Sequence, residues 1–351
     1  MEELDIDCEW DQFISTTEYD TSAQEEHIVA SQLIDQECPK ATDIYISTKT
    51  NISYLNTPID LKNVFWNIPI IRYGDPVVGV VKKQMKFNST LREELTEIKA
   101  RLKNEVYVDE HVITNIDNPN GRIKFKDIRK VSIGISKKDV VSYRSKKKSA
   151  FYNCFVMILR VKCEKIFKEF HVKVFNTGKL EIPGIQTDEM FCKIIDMVVH
   201  VLTPHISTPI HHIPEKTQTV LINSNFNCGF YINREALFDI LRSKYGIECI
   251  YDPCSYPGIQ CKFYYNVDNK IQTGVKDTSE NLIDVSFMIF RTGSILIVGK
   301  CCEEVLYSIY TFLKNILTAE FLNIGIQLIP TENIQKSKYK KIRKKVITIE
   351  S

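Results

Sequence analysis

The alternation of apolar and polar positions along this chain is written twice. Phe175-Asn176-Thr177-Gly178-Lys179-Leu180-Glu181-Ile182-Pro183-Gly184 and Phe290-Arg291-Thr292-Gly293-Ser294-Ile295-Leu296-Ile297-Val298-Gly299 share the frame F-x-T-G-x-x-x-I-x-G. Each copy predicts a strand, a tight Thr-Gly turn and a second strand. The match runs on without a gap, at a constant offset of 115, through 187–202 and 302–317, where Glu189 falls on Glu304, Ile194 on Ile309 and Leu202 on Leu317. Apolar residues recur there at helical spacing, so each copy closes with an amphipathic helix. Repetition over this length makes the chain two copies of one unit.

The unit begins further upstream. Ile44–Thr48 is a short β-rich run, and Thr57-Pro58 then offers an N-cap and a first-turn proline ahead of Ile59, Leu61, Val64 and Phe65. Val220–Ser224, followed by Asn233 as the N-cap of a helix through Leu237, Ile240 and Leu241 to near Gly246, repeats that order. The opening strands lie 176 residues apart and the closing motifs 115, so about 61 extra residues sit inside the first copy, within roughly 88–150. This insertion predicts its own helix, from the capping box Thr90-Leu91-Arg92-Glu93 to about Lys103. A turn at Asn118–Gly121 and a β-like run over 122–135 follow. The apolar run Phe151–Val161 has its counterpart in Tyr256–Phe263. The expected organisation is an acidic tail over 1–40, a first repeat over 41–205, a second over 216–330 and a basic tail over 331–351.

Composition bounds the class. With 351 residues and 44% hydrophobic content the chain can bury a sizeable core. No apolar run approaches the roughly 18–20 residues that span a bilayer, and the first residues are acidic, so the protein is expected to stay inside the cell and off the membrane. Eleven cysteines without C-x-x-C pairing read as reduced thiols. Residues 1–38 hold twelve of the 44 acidic residues and none of the 46 basic ones, leaving the remainder at about +14. A basic body with an acidic arm points to a polyanionic partner; the arm either competes for the body or only solubilises the chain. Basic runs at Arg144–Lys148 and Lys336–Lys345, the latter with seven basic residues in ten, suit phosphate contacts, a nuclear address or a solvated surface.

P-loop, G-x-S-x-G, H-E-x-x-H and dinucleotide-glycine patterns are absent, so no enzyme is expected. His200, His205, His211 and His212, and Cys249, Cys254 and Cys261, lack ligand spacing, which argues against a metal or cofactor. The repeated strands carry the functional signal. In the first copy Phe175, Thr177, Lys179, Glu181 and Pro183 share one face; in the second Phe290, Thr292, Ser294, Leu296 and Val298 do. The closing helix covers the other face. The repeat supplies nothing to cover the first, and an open apolar sheet face marks a partner surface.

These residues resemble the TATA-box-binding protein family, in the divergent form encoded by large DNA viruses. Val285–Gly293 stands where that family has an apolar strand ending in Phe before Ser-Gly, and Tyr256-Pro257-Gly258 stands where it has Phe-Pro-Gly. The resemblance covers about 44–87 and 151–320 and is strongest at 285–317. It implies an α+β fold, two pseudo-symmetric repeats forming a curved antiparallel sheet, or saddle, with helices on the convex side. It implies a transcription initiation factor that binds and bends double-stranded DNA through the minor groove, with a transcription-factor-IIB-like protein and RNA polymerase as partners. The site of action would be where viral genes are transcribed, a cytoplasmic factory or the host nucleus, with packaging in the virion as a further option. The wedge positions fall on Phe175, Tyr256 and Phe290, with the fourth on Cys154 between Tyr152 and Phe155. Arg160 and Lys262 match the phosphate-facing basic residue, and Lys179 the one after the turn. Thr177, Thr292, Leu296, Val298, Ile46 and Ile222 complete the expected DNA-binding set. The family's central paired Asn falls on Ile44 and Val220, and its paired Thr on Pro183 and Val298, so those polar contacts are expected to be missing. Glu181 places an acid on the DNA face. A protein-interaction scaffold that keeps the saddle without sequence-specific DNA binding is the alternative.

Overall fold

The computed structural model describes residues 37–141, 153–279 and 281–326. The acidic segment 1–36, the run Arg144–Lys148, Tyr152 and the run Lys336–Lys345 lie outside the described residues.

Alternating patterns become strands that join one antiparallel sheet. The first repeat supplies β1 (Tyr45–Tyr54), β2 (Gly79–Ser89), β5 (Cys154–Cys163), β6 (Ile166–Phe175) and β7 (Lys179–Ile185). The insertion supplies β3 (Val108–Asp117) and β4 (Phe125–Gly134). The second repeat supplies β8 (Gln218–Asn227), the short β9 (Tyr231–Ile232), β10 (Glu248–Ile250), β11 (Ile259–Asn266), β12 (Leu282–Ile289) and β13 (Ser294–Gly299). Twelve of these strands form a curved sheet in the order β10-β11-β12-β13-β8-β1-β7-β6-β5-β2-β4-β3. Outward from the β8–β1 junction, each half follows the same sequence of strands, and the first half then continues with β4 and β3. The insertion therefore lengthens one end of the sheet.

Helices pack on one face only where apolar stripes meet it. In the first half these are α1 (Leu61–Asn67), α2 (Arg92–Leu102) and α4 (Asp188–Leu202); the short α3 (Lys137–Val141) at the end of the insertion buries no residue, and its Asp139 accepts from Lys82 on the other face at 2.8 Å. In the second half they are α5 (Arg234–Ser243), α6 (Glu303–Ala319) and the brief α7 (Phe321–Ile324). Ile194, Val198 and Leu202 of α4 pack over Leu180, Ile182, Val172 and Leu159, while Leu306, Ile309 and Leu313 of α6 pack over Ile295, Ile297, Phe287 and Cys261. Burial of such stripes drives assembly, at about 25 cal/mol per Å² of apolar surface.

Local capping differs from the sequence reading in two places. The first helix is capped by Asp60, whose carboxylate accepts from the Asn63 amide at 3.1 Å, and not by Thr57. In the insertion Glu94, one residue beyond the expected Glu93, accepts from the Thr90 amide at 2.8 Å. Asn233 caps α5 as expected, accepting from Ala236 at 3.2 Å.

Candidate nucleic-acid interface

Each Thr-Gly turn is held by the same duplicated set of hydrogen bonds. Gly178 donates to the Phe175 carbonyl at 3.0 Å, and Gly293 to the Phe290 carbonyl at 3.0 Å. Leu55 donates to Gly178 and Ile59 to Asn176 in one half; Cys228 donates to Gly293 and Ile232 to Arg291 in the other. Both glycines adopt positive φ, 81° and 77°. A Cβ would stand 2.5 Å from the Thr57 carbonyl oxygen at Gly178 and 2.2 Å from the Phe230 carbonyl oxygen at Gly293. Only glycine fits, and it sets the phenylalanine before each turn at a fixed place on the rim.

The rims differ. In the second half the Tyr256 and Phe290 rings lie 6.0 Å apart at 59°, both half-buried. Gly258 packs against both, where a Cβ would meet Phe290 at 3.0 Å and Tyr256 at 3.1 Å. In the first half Phe175 is half-buried, with the Lys179 ammonium 5.0 Å from its ring centroid, and its cross-strand neighbour is Cys154. That thiol is buried, and desolvation pushes its pKa up to about 11. Phe155 corrects the sequence reading. It is 0% exposed and packs edge-on to Phe65 beneath the helices, because strand alternation sends it to the face opposite Cys154.

Register defines the concave face. Ile295 and Ile297 belong to the helix-covered core, so Leu296 and Val298 between them point to the other side, and their antiparallel partners Asn225 and Asn223 point with them. At the β1–β8 junction Thr48 pairs with Asn223, and the Asn223 amide donates to the Thr48 hydroxyl at 3.3 Å. Asn225 donates to the Ser47 hydroxyl at 2.9 Å. Bulges after Ile46 and after Thr50 shift the pairing by one residue. Two expectations are overturned. Ile46 and Ile222 face the second core under the helices, and the centre of the concave face is polar, built from Asn223, Asn225, Ser47 and Thr48. A constant repeat offset carries no information about a bulge. The period-two placing of Asn223 and Asn225 in an otherwise apolar strand was the available signal.

Around this centre the face is apolar. Leu296 (1% exposed), Val298 (4%), Met288 (8%) and Ile158 (2%) lie on it, together with the exposed turn residues Thr177 and Thr292 at its rim. Glu181 is also on it, but Lys173, its cross-strand partner, donates to its carboxylate at 2.5 Å. The acid is thus neutralised within the sheet.

The two basic residues matched by sequence behave differently. Arg160 is buried; its guanidinium donates to the Asp75 carbonyl at 2.8 Å, lies 3.7 Å from Glu169 and stacks over Tyr73 at 4.9 Å. It is committed to holding the loop before β2. Lys262 has 47% of its side chain exposed and sits 3.6 Å from an exposed Asp284. At the lengthened end, Lys86 and Lys130 stand directly opposite one another on β2 and β4, on the concave side with Gln84 and Ser132. Among the described residues there is no group of three or more His, Cys, Asp or Glu suited to a metal, and no helix long and apolar enough to cross a membrane.

No family model matches the chain. A curated relative from Acanthamoeba polyphaga mimivirus, described as TATA-box-binding protein-like, is 24% identical over 212 residues. The alignment covers 53% of this chain and 54% of the relative, so the chain spans about half the length of the curated relative it matches. A solved structure, Methanococcus jannaschii TBP, aligns with 79% of this chain and 99% of that one, at 11% identity and a TM-score of 0.39.

Proposed function

On the premise that the chain is a divergent, virus-type TATA-box-binding-protein-like protein, we propose that its concave sheet binds and bends duplex DNA through the minor groove. The observation that carries this reading is the Tyr256–Phe290 ring pair, held at the rim by Gly258 and Gly293 on the face that also bears Met288, Leu296 and Val298. Rings placed there wedge between base steps. Unstacking costs a few kcal/mol per step and is offset by the protein surface that the bent duplex then touches. Asn223 and Asn225 at the centre can donate to the purine N3 and pyrimidine O2 acceptors, which distinguish A·T from G·C but not A·T from T·A, so the rest of any preference comes from deformability. Phe175 is the wedge at the other end. Lys262, Lys179, Thr177 and Thr292 face the backbone. The helices of the convex side would then present a surface to a transcription-factor-IIB-like protein and RNA polymerase at an intracellular site of viral transcription.

A second reading, a scaffold that keeps the sheet for protein contacts, is favoured by Arg160 and Glu181 being satisfied within the chain and by a thiol standing where a fourth ring would be. A bending assay over a mixed-sequence duplex pool separates the two. Binding that falls steeply with salt, a bent product and a loss of both in Phe290→Ala fit the first reading. A salt-insensitive protein complex with no duplex shift selects the scaffold.

A further inference from the structure

We propose that Cys249 and Cys261 form a dithiol site that a small-molecule disulfide converts into a cross-strand disulfide, closing a covalent ring around the Tyr256 loop. The site stands on its own; its consequence for a duplex rests on the function proposed above.

Three observations meet here. The first is register. Cys249, on the three-residue edge strand β10, stands directly opposite Cys261 on β11. Opposed residues of an antiparallel pair have Cα atoms about 4.5 or 5.5 Å apart, and both spacings fall within the roughly 4.4–6.8 Å that a disulfide bridges. Both thiols are on the helix-covered side, where Cys261 belongs to the second core and Cys249 packs against it. Desolvation first, and then the neighbouring Cys249 thiol, hold the Cys261 pKa well above its ordinary value, so the two side chains interact. The second is the place in the repeat. Lys262 matches Arg160, so Cys261 matches Leu159, whose partner on β2 is Val80. An aliphatic pair fills this place in the first half, so the sheet does not need sulfur there to pack.

The third is what the two cysteines enclose. Between them runs the loop that ends in Tyr256-Pro257-Gly258. The Asp252 carbonyl accepts from the Tyr256 amide at 2.9 Å, the Asp252 carboxylate accepts from the Cys254 amide at 3.0 Å, and the Arg234 guanidinium donates to the Pro257 carbonyl. Among the described residues β10 joins the sheet through β11 alone, over three residue pairs, so a covalent tie there fixes both ends of the loop. Exposure sets the order of the chemistry, because Cys249 is half-buried and Cys261 is closed to solvent. The Cys249 thiolate attacks one sulfur of the small disulfide, and the other sulfur leaves as a thiolate. Cys261 then attacks the Cys249 sulfur and expels the second small thiolate. The protons given up by the two cysteines end on the two departing thiolates, so two protein thiols and one small disulfide become one protein disulfide and two small thiols. Reduction through the accessible Cys249 sulfur has to expel the buried, high-pKa Cys261 thiolate, a poor leaving group, so the bond once formed resists small thiols.

The test treats the full chain with oxidised glutathione, alkylates the remaining thiols and digests with trypsin. The peptide 245–262, which holds Cys249, Cys254 and Cys261, should be lighter by two hydrogens. Cutting it after Tyr251 and Tyr256 should leave the Cys249 fragment joined to the Cys261 fragment, with Cys254 alkylated. The link should persist in Cys254→Ala and vanish in Cys249→Ser. Under native conditions chymotrypsin should cut the loop several-fold more slowly in the oxidised chain than in the reduced one. The oxidised chain should also bind the mixed-sequence duplex pool several-fold more tightly, because an ordered loop has less freedom to lose on binding. Cys249→Ser should show neither change. Alkylation of both Cys249 and Cys261 after oxidation overturns the proposal, as does a Cys249–Cys254 link or a mixed disulfide that stops at Cys249. A link that alters neither loop cleavage nor duplex affinity overturns the hold of the ring on the loop. If the link forms and slows cleavage but no form binds the pool, the dithiol site stands and the DNA reading falls. If the pool binds and the link never forms, the DNA reading stands and the site falls.

Discussion

The two halves of the sheet share a topology and a turn, yet they invest their polar groups differently. In the second half the rim holds two rings, the floor is apolar and Lys262 is exposed. In the first half the rim holds, among the described residues, one ring and a buried thiol, Arg160 is tied to Asp75 and Glu169, Glu181 is neutralised by Lys173, and two further strands extend the sheet. Symmetric scaffolding with asymmetric chemistry teaches that the repeat preserves the means of positioning side chains, while the side chains themselves set what each end does. On the function proposed above, one end serves contact with a partner and the other internal cohesion.

The largest expected effect tests that cohesion. Arg129 is buried in the insertion, where it donates to Asp127 at 2.6 Å and to Glu110 at 2.5 Å, and Asn115 donates to Asp127 at 2.7 Å. Arg129→Met strands the Asp127 carboxylate and should cost about 3–5 kcal/mol in urea unfolding. The buried carboxylate of the second half, Glu320, is held instead by an exposed Lys244 at 2.6 Å, with Tyr245 and Asn323. Burial alone would raise the Asp127 pKa, but hydrogen bonds from Arg129 and Asn115 and the charge of Arg129 hold it below 3.8. The folded pKa is therefore lower than the unfolded one. The stability from this pair is fully present above about pH 4 and is lost as pH falls through the folded value. Acid titration of wild type and Asp127→Asn should converge below that window; parallel curves would remove the ion pair from the account.

The turns come next and should be equal in both halves. Gly178→Ala and Gly293→Ala each drive a Cβ into a backbone carbonyl at a positive φ, and each should lose about 1–3 kcal/mol. A large loss in only one half would show that the two turns are not the same device. Duplex affinity then separates the rims. Aromatic stacking on a base contributes roughly 1–3 kcal/mol. Phe290→Ala and Tyr256→Ala should each weaken binding about tenfold to hundredfold, with Phe175→Ala at the lower end because its neighbour is Cys154. Equal losses at the two rims would dissolve the asymmetry.

Much of this was readable in the sequence. The F-x-T-G frame gave the turns, their glycines and the ring positions Phe175 and Phe290, because a turn's chemistry is local. The 61-residue excess located the insertion, but not that its strands join the main sheet, since edge pairing is a tertiary choice. The faces of Ile46, Ile222 and Phe155 were misassigned for two reasons. Ile46 and Ile222 were placed by a constant repeat offset one residue out of step with the concave positions: β8 alternates without a shift against β13, which sends Ile222 to the core and Asn223 and Asn225 to the other face, and Ile46 pairs with Ser224 on the core side. Phe155 was placed by its nearness to the Cys154 position, whereas alternation puts neighbours on opposite faces. The ties of Arg160 come from Tyr73 and Asp75, about 85 residues away in sequence, a contact that no local pattern announces.

The smallest effect is the sharpest test of which basic residue serves a partner. Arg160 and Lys262 occupy matching positions in the repeat, so a reading from sequence gives both the same role. A lysine that neutralises a phosphate releases about one counterion, and its loss reduces the slope of log affinity against log salt by about one. Lys262→Ala should show that reduction with stability unchanged, because its ion pair among the described residues is an exposed one at 3.6 Å. Arg160→Ala should leave the slope alone and instead lower stability, since the Asp75 carbonyl and Glu169 lose a buried donor. If both substitutions reduced the slope alike, the guanidinium would have to leave Asp75 when a duplex arrives, and the first half would be a phosphate-binding end held in reserve rather than an internally satisfied one.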